Sequence, residues 1–120
     1  QAAAARVDAG DKAGAVTAYD LLAADNGTDP IFRGLAKLQA VMLLIDDGVA
    51  ADLNRRIAEL LSPDSHWRYS GLEMQAVLKH RDGDVAGARA AFKALAEDAA
   101  APGGMRNRAA QMLAALGGEG

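Results

Sequence analysis

Residues 32–48 decide the fold and read Phe-Arg-Gly-Leu-Ala-Lys-Leu-Gln-Ala-Val-Met-Leu-Leu-Ile-Asp-Asp-Gly. Large apolar residues recur in this stretch at steps of three and four, namely Leu35, Leu38, Met42 and Ile45. That spacing places them on one face of a helix. Further apolar residues surround this stripe, so we expect the helix to be buried on most sides. The stretch is shorter than the roughly 20 apolar residues that span a bilayer. We therefore predict the central helix of an all-α domain.

The composition outside this stretch also favours helices. Of the 120 residues, 51% are hydrophobic but only 4% are aromatic, and only three are proline. No strand-length run alternates apolar with polar side chains, so we expect no sheet. One domain of this length buries roughly 65% of the surface of its unfolded chain. The sequence thus predicts a single all-α domain over residues 1–120.

The charge and the cysteine content exclude several classes of function. The formal net charge is −3, whereas a nucleic-acid surface is normally basic, so we expect no nucleic-acid partner. The chain has no cysteine and therefore no thiol nucleophile, disulfide or thiolate zinc site. A cysteine-free chain is compatible with oxidising and reducing compartments alike, so the residues alone leave the localisation open.

Glycines and capping residues divide the chain into about seven predicted helices. We expect them over residues 1–9, between Asp11 and Asn26, and over residues 32–48, 49–61, 66–81, 85–99 and 105–116. Aspartates or a serine stand where N-caps are expected, at Asp11, Asp29, Asp64 or Ser65, and Asp84. In the helix over residues 49–61, the polar residues Asn54, Arg55, Arg56 and Glu59 are expected to point outward.

The predicted helices repeat as hairpins. Gly10, Gly48 and Gly83 each separate two helices, and they lie 38 and 35 residues apart. A small or apolar residue, a bulky residue and a leucine follow each glycine at fixed distances: Ala15, Tyr19 and Leu22; Leu53, Ile57 and Leu60; Ala88, Phe92 and Leu95. A helix-turn-helix period of about 34 residues is the signature of tetratricopeptide repeats. We therefore predict a short tetratricopeptide-like solenoid of antiparallel helical hairpins, with an incomplete first repeat and a C-terminal capping helix.

No set of residues indicates catalysis or a bound metal. His66 and His80 lie 14 residues apart and lack the spacing of a zinc motif. Ser65 stands next to His66, and neighbours on a helix do not face each other. No glycine-rich phosphate loop is present. We therefore expect no enzyme, no catalytic or metal-ligating residue, no cofactor and no small-molecule substrate.

Four residues mark an expected protein-binding face. Arg33 and Arg68 stand at equivalent places near the starts of two leading helices, Lys37 follows Arg33 by one turn, and Tyr69 neighbours Arg68. The leading helices of such solenoids line the concave surface, which is usually the binding surface. The alternative is that these side chains are simply solvated. The leading hypothesis is a non-enzymatic protein-interaction module, and its rival is a structural domain that self-assembles through the open end of the helical stack.

Four segments resemble one protein family over essentially the whole chain. They are Gly-Asp-Lys-Ala-Gly-Ala at residues 10–15, Phe-Arg-Gly-Leu-Ala-Lys-Leu-Gln-Ala at 32–40, Asp-Gly at 47–48, and Ala-Pro-Gly-Gly-Met-Arg-Asn-Arg-Ala at 101–109. Together they resemble the tetratricopeptide-like domain of the ancillary Sec translocon subunit family of bacterial inner membranes.

This resemblance implies a location and a class of partner. It implies a domain on the periplasmic face of the inner membrane, with protein partners among the translocon, chaperones and exported chains. It also implies a single transmembrane helix upstream, so that membrane contact is made only through a segment absent here. The chain begins at Gln1 inside an alanine run and has no initiator methionine, which agrees with the expectation of an upstream anchor. The resemblance implies no catalytic residue.

Overall fold

In a computed structural model, which describes residues 11–117, the chain forms six α-helices and no strand. They are α1 (Lys12–Ala24), α2 (Pro30–Leu44), α3 (Ala50–Ala58), α4 (Arg68–Arg81), α5 (Val85–Glu97) and α6 (Gly103–Ala115). The all-α prediction is confirmed over this range. The helix predicted over residues 1–9 lies outside the described residues. None of the helices described is long and apolar enough to cross a membrane.

Capping aspartates set the starts of three helices. The carboxylates of Asp11, Asp29 and Asp84 accept hydrogen bonds of 2.8 to 2.9 Å from first-turn N–H groups of α1, α2 and α5. The predicted cap of α4 is wrong, because Asp64 and Ser65 precede the helix and its N-cap is Trp67, which forms no side-chain cap. The Ser65 hydroxyl instead accepts the N–H of Trp67 at 3.2 Å, inside the turn that leads to α4.

The shortest connection, residues 82–84, joins α4 to α5. Gly83 has φ +87°. Its N–H donates to the carbonyl of His80 at 3.1 Å, and the N–H of Asp84 donates to the carbonyl of Lys79 at 2.9 Å. This pair of bonds is a Schellman motif, in which glycine adopts the left-handed conformation without strain. Since Asp84 then caps α5, two helices meet with almost no intervening loop.

The helices recur at nearly constant spacing along the chain. α1, α3 and α5 begin at residues 12, 50 and 85, and α2, α4 and α6 begin at residues 30, 68 and 103, so both series step by 38 and then 35 residues. Four side chains donate hydrogen bonds to residues 35 or 36 positions earlier: Arg56 to Asp20, Trp67 to Ile31, Arg81 to Ile45, and Arg108 to Glu73. Hydrogen bonds therefore link alternate helices of the chain: α1 with α3, α2 with α4, and α4 with α6.

Two clusters contain ten of the buried apolar side chains. One lies between α4, α5 and α6 and contains Ala76, Ala88, Phe92, Leu95, Met105 and Ala109. The other joins α2, α3 and α4 and contains Val41, Leu53, Ile57 and Leu78. Small residues at the α4–α5 contact let the two helices approach closely around the ring of Phe92. The clusters follow one another along a molecule that measures 43 × 29 × 23 Å.

The central helix α2 is less buried than its sequence predicts. It buries Ala36, Leu38, Ala40 and Val41, whereas Met42 of the predicted stripe is 51% exposed. The prediction is therefore wrong at Met42. The physical reason is that α1, α3 and α4 contact α2 over a face that includes its alanines, since small side chains allow close helix packing.

Candidate binding cavities

The predicted binding residues do not share one cavity. Arg33 and Lys37 line a cavity of about 310 Å³ beside the start of α2, named here the α2 cavity. Arg68 lines another of about 320 Å³ between α4 and α5, named here the α4–α5 cavity. Tyr69 packs against the C-terminal core cluster, and the centre of its ring lies 5.5 Å from Cζ of Arg68. The predicted face is thus divided between two places.

Arg33 is engaged by the backbone of a neighbouring helix. Its Nε donates to the carbonyl of Ala23 at 3.1 Å, in the last turn of α1. A cation is favourable at a helix C-terminus, where the last carbonyls lack partners within the helix. Arg81 and Arg89 make the same kind of contact with carbonyls just beyond the ends of α2 and α6, at 2.8 to 3.1 Å. Arg33 therefore stabilises the contact between α1 and α2.

Lys37 belongs to a chain of ion pairs around α3. Its Nζ lies 3.4 Å from Oε1 of Glu59, which also pairs through Oε2 with Nη1 of Arg55 at 3.3 Å. Arg55 in turn donates to Asp52 at 2.6 Å, and Asp52 accepts from Arg56 at 2.9 Å. Lys37 and Glu59 also line a third cavity of about 350 Å³. Because these cations are all paired, the ion pairs hold α2 and α3 together and leave little unbalanced charge.

Arg56 links the same network to the first helix. Its Nη1 and Nη2 donate to the two carboxylate oxygens of Asp20 at 2.8 and 3.0 Å. Its side chain is 16% exposed, against 60% for Arg55. The prediction that Arg56 points outward is therefore wrong, because its guanidinium binds Asp20 of α1.

These contacts shift the pKa values of Asp52 and Arg56. Hydrogen bonds from Arg56, and then from Arg55, hold the pKa of Asp52 below its ordinary value of 3.8. The carboxylate of Asp20, aided by Asp52, raises the pKa of Arg56. The shifts favour the charged forms of the Asp52 carboxylate and the Arg56 guanidinium.

Arg68 differs from the other predicted cations. Among residues 11–117 its guanidinium has no carboxylate or carbonyl partner, and its electrostatic contact is with the ring of Tyr69. A guanidinium at this distance is attracted by the face of the ring, which limits its motion. The cavity beside it is lined mainly by apolar side chains together with two polar ones: Leu72, Ala91, Ala94, Leu95, Gln75 and Asp98.

The linings of the α2 cavity and the α4–α5 cavity correspond along the chain. Residues 35 positions apart line both of them: Arg33 and Arg68, Lys37 and Leu72, Glu59 and Ala94, Leu60 and Leu95. The Lys37–Glu59 ion pair of the first cavity is thus replaced by Leu72 and Ala94 in the second. From the sequence we did not predict that Leu72 and Asp98 line a cavity. Adding 35 residues to Lys37 and Glu59 leads to Leu72 and Ala94, so the change from an ion pair to apolar residues could have been predicted.

Trp67, the residue before α4, contacts α2 beside the α2 cavity. Its Nε1 donates to the carbonyl of Ile31 at 2.8 Å. Its ring lies so close to Gly34 that a Cβ there would be 2.6 Å from Cδ1 of Trp67. Glycine at position 34 therefore permits the indole to lie directly on the backbone of α2.

Exposed large apolar residues concentrate on α1, on α2 and just after α2. They are Leu21, Leu22, Ile31, Phe32, Met42 and Val49. In the rest of the described chain, the exposed large apolar residue is Val85. Leu22 is 41% exposed, whereas its repeat equivalents Leu60 and Leu95 are 1% and 3% exposed. Within the described residues, the leucine of α1 is therefore exposed where its equivalents, directly after α3 and in α5, are buried.

Comparisons with family models, with curated proteins and with solved structures found no match. Over the part of the chain that the structure describes, no group of three or more histidine, cysteine, aspartate or glutamate side chains is placed to hold a metal ion.

Proposed function

We propose that this chain is a non-enzymatic protein-interaction module, built as a short tetratricopeptide-like solenoid with α6 as its C-terminal cap. The stacking register supports this most directly, because side chains contact the residues 35 or 36 positions earlier. Stacked helix pairs of this kind present extended surfaces to protein partners. In support of the capping role, α6 packs Met105 and Ala109 against the core and exposes Arg106 and Gln111.

The family resemblance supports a more specific setting. As the periplasmic domain of a membrane-anchored protein of the ancillary Sec translocon type, the module contacts the translocon, chaperones or exported chains at the inner membrane. Its anchor then belongs to a segment upstream of Gln1. The closing segment at residues 101–109 is the most specific part of the resemblance.

Crosslinked co-purification of the full-length protein from bacterial cells tests this function. The variants are Arg68→Glu and, as a matched control, Arg106→Glu, since neither arginine has an ion-pair partner within residues 11–117. Charge reversal at Arg68 should weaken association with a partner, while the control should leave it unchanged, because rim charges steer encounter and register. Arg33 is unsuitable here, since its bond to Ala23 makes a loss of stability the first effect of replacing it.

Two results would count against this function in different ways. The absence of any reproducible protein partner contradicts an interaction module. If the Arg68→Glu variant co-purifies with the same partners as the parent, Arg68 is not a binding residue and the predicted binding face is wrong.

Self-assembly is a second candidate function, favoured by the exposed apolar residues of the first two helices. Exposed apolar patches often mark association surfaces, and Leu21 and Phe32 are both more than half exposed. Sedimentation at several concentrations should then reveal an oligomer, and Phe32→Ser should dissociate it without unfolding the chain. A strictly monomeric chain rules this candidate out.

A further inference from the structure

We propose that the dipeptide Asn26-Gly27, in the turn between α1 and α2, is a site of spontaneous deamidation. The carboxylate of Asp25 restrains the reaction, and its isoaspartate product loosens the contact between α1 and α2. The reaction consumes only solvent water, so it is independent of any partner of the module.

The reaction starts at the backbone nitrogen of Gly27. Once this nitrogen has lost its proton, it attacks Cγ of Asn26. A C–N bond forms, and the side-chain amide nitrogen leaves as ammonia with that proton, which gives a five-membered succinimide. Water then opens the ring at either carbonyl and yields aspartate or isoaspartate, in which the backbone runs through the side-chain carbon. Glycine favours the attack, because it has no Cβ to shield the nitrogen and its backbone adjusts readily.

Position distinguishes Asn26 from the other asparagines of the chain, Asn54 and Asn107. Those two lie inside α3 and α6 and precede arginines. Backbone N–H groups within a helix are held by helical hydrogen bonds. Asn26 and Gly27 instead lie in the connection of residues 25–29, and both are exposed. Asn26 therefore combines a reactive neighbour with access to water.

Asp25 binds the hydrogen atom that the reaction must remove. Its Oδ1 accepts the N–H of Gly27 at 2.9 Å, and its Oδ2 accepts the hydroxyl of Thr28 at 3.0 Å. Loss of the Gly27 proton would break the first bond and place a second negative charge against the carboxylate. The same two bonds, that of Gly27 first, lower the pKa of Asp25, so this acceptor stays ionised at the alkaline pH that promotes deamidation.

The same kind of turn follows α5, where the sequence cannot react in this way. Oδ1 of Asp98 accepts the N–H of Ala100 at 2.9 Å. The backbone angles of the two aspartates agree closely, with φ −79° and ψ 106° at Asp25 and φ −84° and ψ 106° at Asp98. Ala99 stands where the first turn has Asn26, and alanine has no amide to lose. The turn is thus a structural element in both places, and Asp98 supplies a matched control.

Isoaspartate at position 26 would add a carbon atom to the backbone of a tightly bonded turn. The N–H of Thr28 donates to the carbonyl of Asp25 at 3.0 Å. Next to this turn, Nε of Arg33 donates to the carbonyl of Ala23 at 3.1 Å. A longer backbone changes the spacing on which these bonds depend. The new carboxylate also lies beyond the C-terminus of α1, where negative charge is unfavourable.

The test follows deamidation of the chain during incubation at mildly alkaline pH, with peptide mapping by mass spectrometry. Trypsin releases residues 13–33, in which Asn26 is the asparagine. A synthetic, unstructured peptide of residues 21–31 gives the unrestrained rate. We expect Asn26 to react at least about 10-fold more slowly in the chain than in the peptide, the effect of a hydrogen bond to a charged acceptor.

Three variants locate the restraint. Asp25→Ala should raise the rate in the chain by about 10-fold, while the same change in the peptide should have little effect. Asp98→Ala removes the equivalent turn after α5 and should leave the rate at Asn26 unchanged. Gly27→Ala should suppress the reaction, and its Cβ would lie 3.3 Å from Oδ1 of Asp25, so a small shift accommodates it. Far-UV circular dichroism checks that the variants are folded.

The effect of the product is measured on the isoaspartate fraction, isolated by chromatography. Its urea midpoint should lie below that of Asn26→Asp, which carries the new charge without the added carbon. Equal midpoints overturn the proposed loosening of the α1–α2 contact.

The rates decide the rest of the proposal. Equal rates in the chain and the peptide, or an unchanged rate in Asp25→Ala, overturn the restraint by Asp25. Equal acceleration by Asp25→Ala and Asp98→Ala also overturns it, since general opening of the fold would then set the rate. If Asn26 does not react even in folded Asp25→Ala, the deamidation site itself is wrong.

Discussion

Replacing Arg56 by methionine should destabilise the fold by about 1 to 2 kcal/mol. The same change at its neighbour Arg55 should cost less than about 0.5 kcal/mol. Methionine keeps most of the apolar stem of arginine, so the comparison isolates the guanidinium.

The magnitudes follow from the partners of the two side chains. Arg56 makes a bidentate contact with Asp20, which lies 36 residues earlier on another helix. Hydrogen bonds to charged groups contribute about 1.5 to 3 kcal/mol. Asp20 is 45% exposed, so we lower the expected value towards that of surface pairs. Arg55 pairs only with residues three and four positions away on its own helix, and such pairs contribute about 0.2 to 0.5 kcal/mol.

Urea unfolding followed by far-UV circular dichroism measures both variants. A double-mutant cycle with Asp20→Asn should give a coupling of about 1 kcal/mol with Arg56 and close to none with Arg55. Equal destabilisation by the two arginine variants, or an absence of coupling with Asp20, would show that α1 is not held on α3 by this contact. The contact between Arg56 and Asp20 would then no longer support the stacking of α3 on α1.

Three further predictions concern the core, a turn and the response to acid. Leu38→Ala should lower the free energy of unfolding by about 2 to 5 kcal/mol, whereas Met42→Ala should change it by less than roughly 0.5 kcal/mol. Equal urea midpoints for the two variants would indicate that Met42 is buried with Leu38, as the sequence predicts. Gly83→Ala should cost about 1 kcal/mol from its positive φ alone, since nothing lies within 4 Å of the added Cβ; an unchanged melting temperature would contradict the left-handed turn. The pKa of Asp52 is lower in the folded chain than in the unfolded chain, so as the pH falls this carboxylate is protonated first in the unfolded chain. The contribution of Asp52 to the free energy of unfolding is therefore complete above about pH 4 and is lost below it. Urea midpoints of Asp52→Asn should therefore fall less steeply with acid than those of the parent, and parallel curves would contradict this.

Local signals in the sequence correctly predicted three helix starts and the turn at Gly83. Asp11, Asp29 and Asp84 cap helices as predicted, because a capping bond needs only the carboxylate and the next few backbone N–H groups. Gly83 likewise ends α4 through bonds within six residues. Such features are readable from the sequence because their partners are close neighbours in the chain.

The wrong predictions concern which helix packs against a given face of another helix. Periodicity correctly groups Leu38 with Met42, but it does not reveal that α1, α3 and α4 leave Met42 exposed. Arg56 lies on a polar face, yet its partner Asp20 is 36 residues away. The division of Arg33 and Arg68 between two cavities depends in the same way on contacts between repeats, and such contacts become predictable only when the 35-residue register is applied to each pair.

The contact of Trp67 with Ile31 gives the chain an internal reporter of its own assembly. It is the single tryptophan, and its indole lies at the joint between α2 and the start of α4 rather than inside either core cluster. Its emission should therefore respond to separation of α2 from α4, whereas the far-UV signal follows the helices themselves. If the joint opens before the helices melt, the two signals will have different midpoints. Fluorescence would then measure how cooperatively the stack holds together, a property that no single helix possesses.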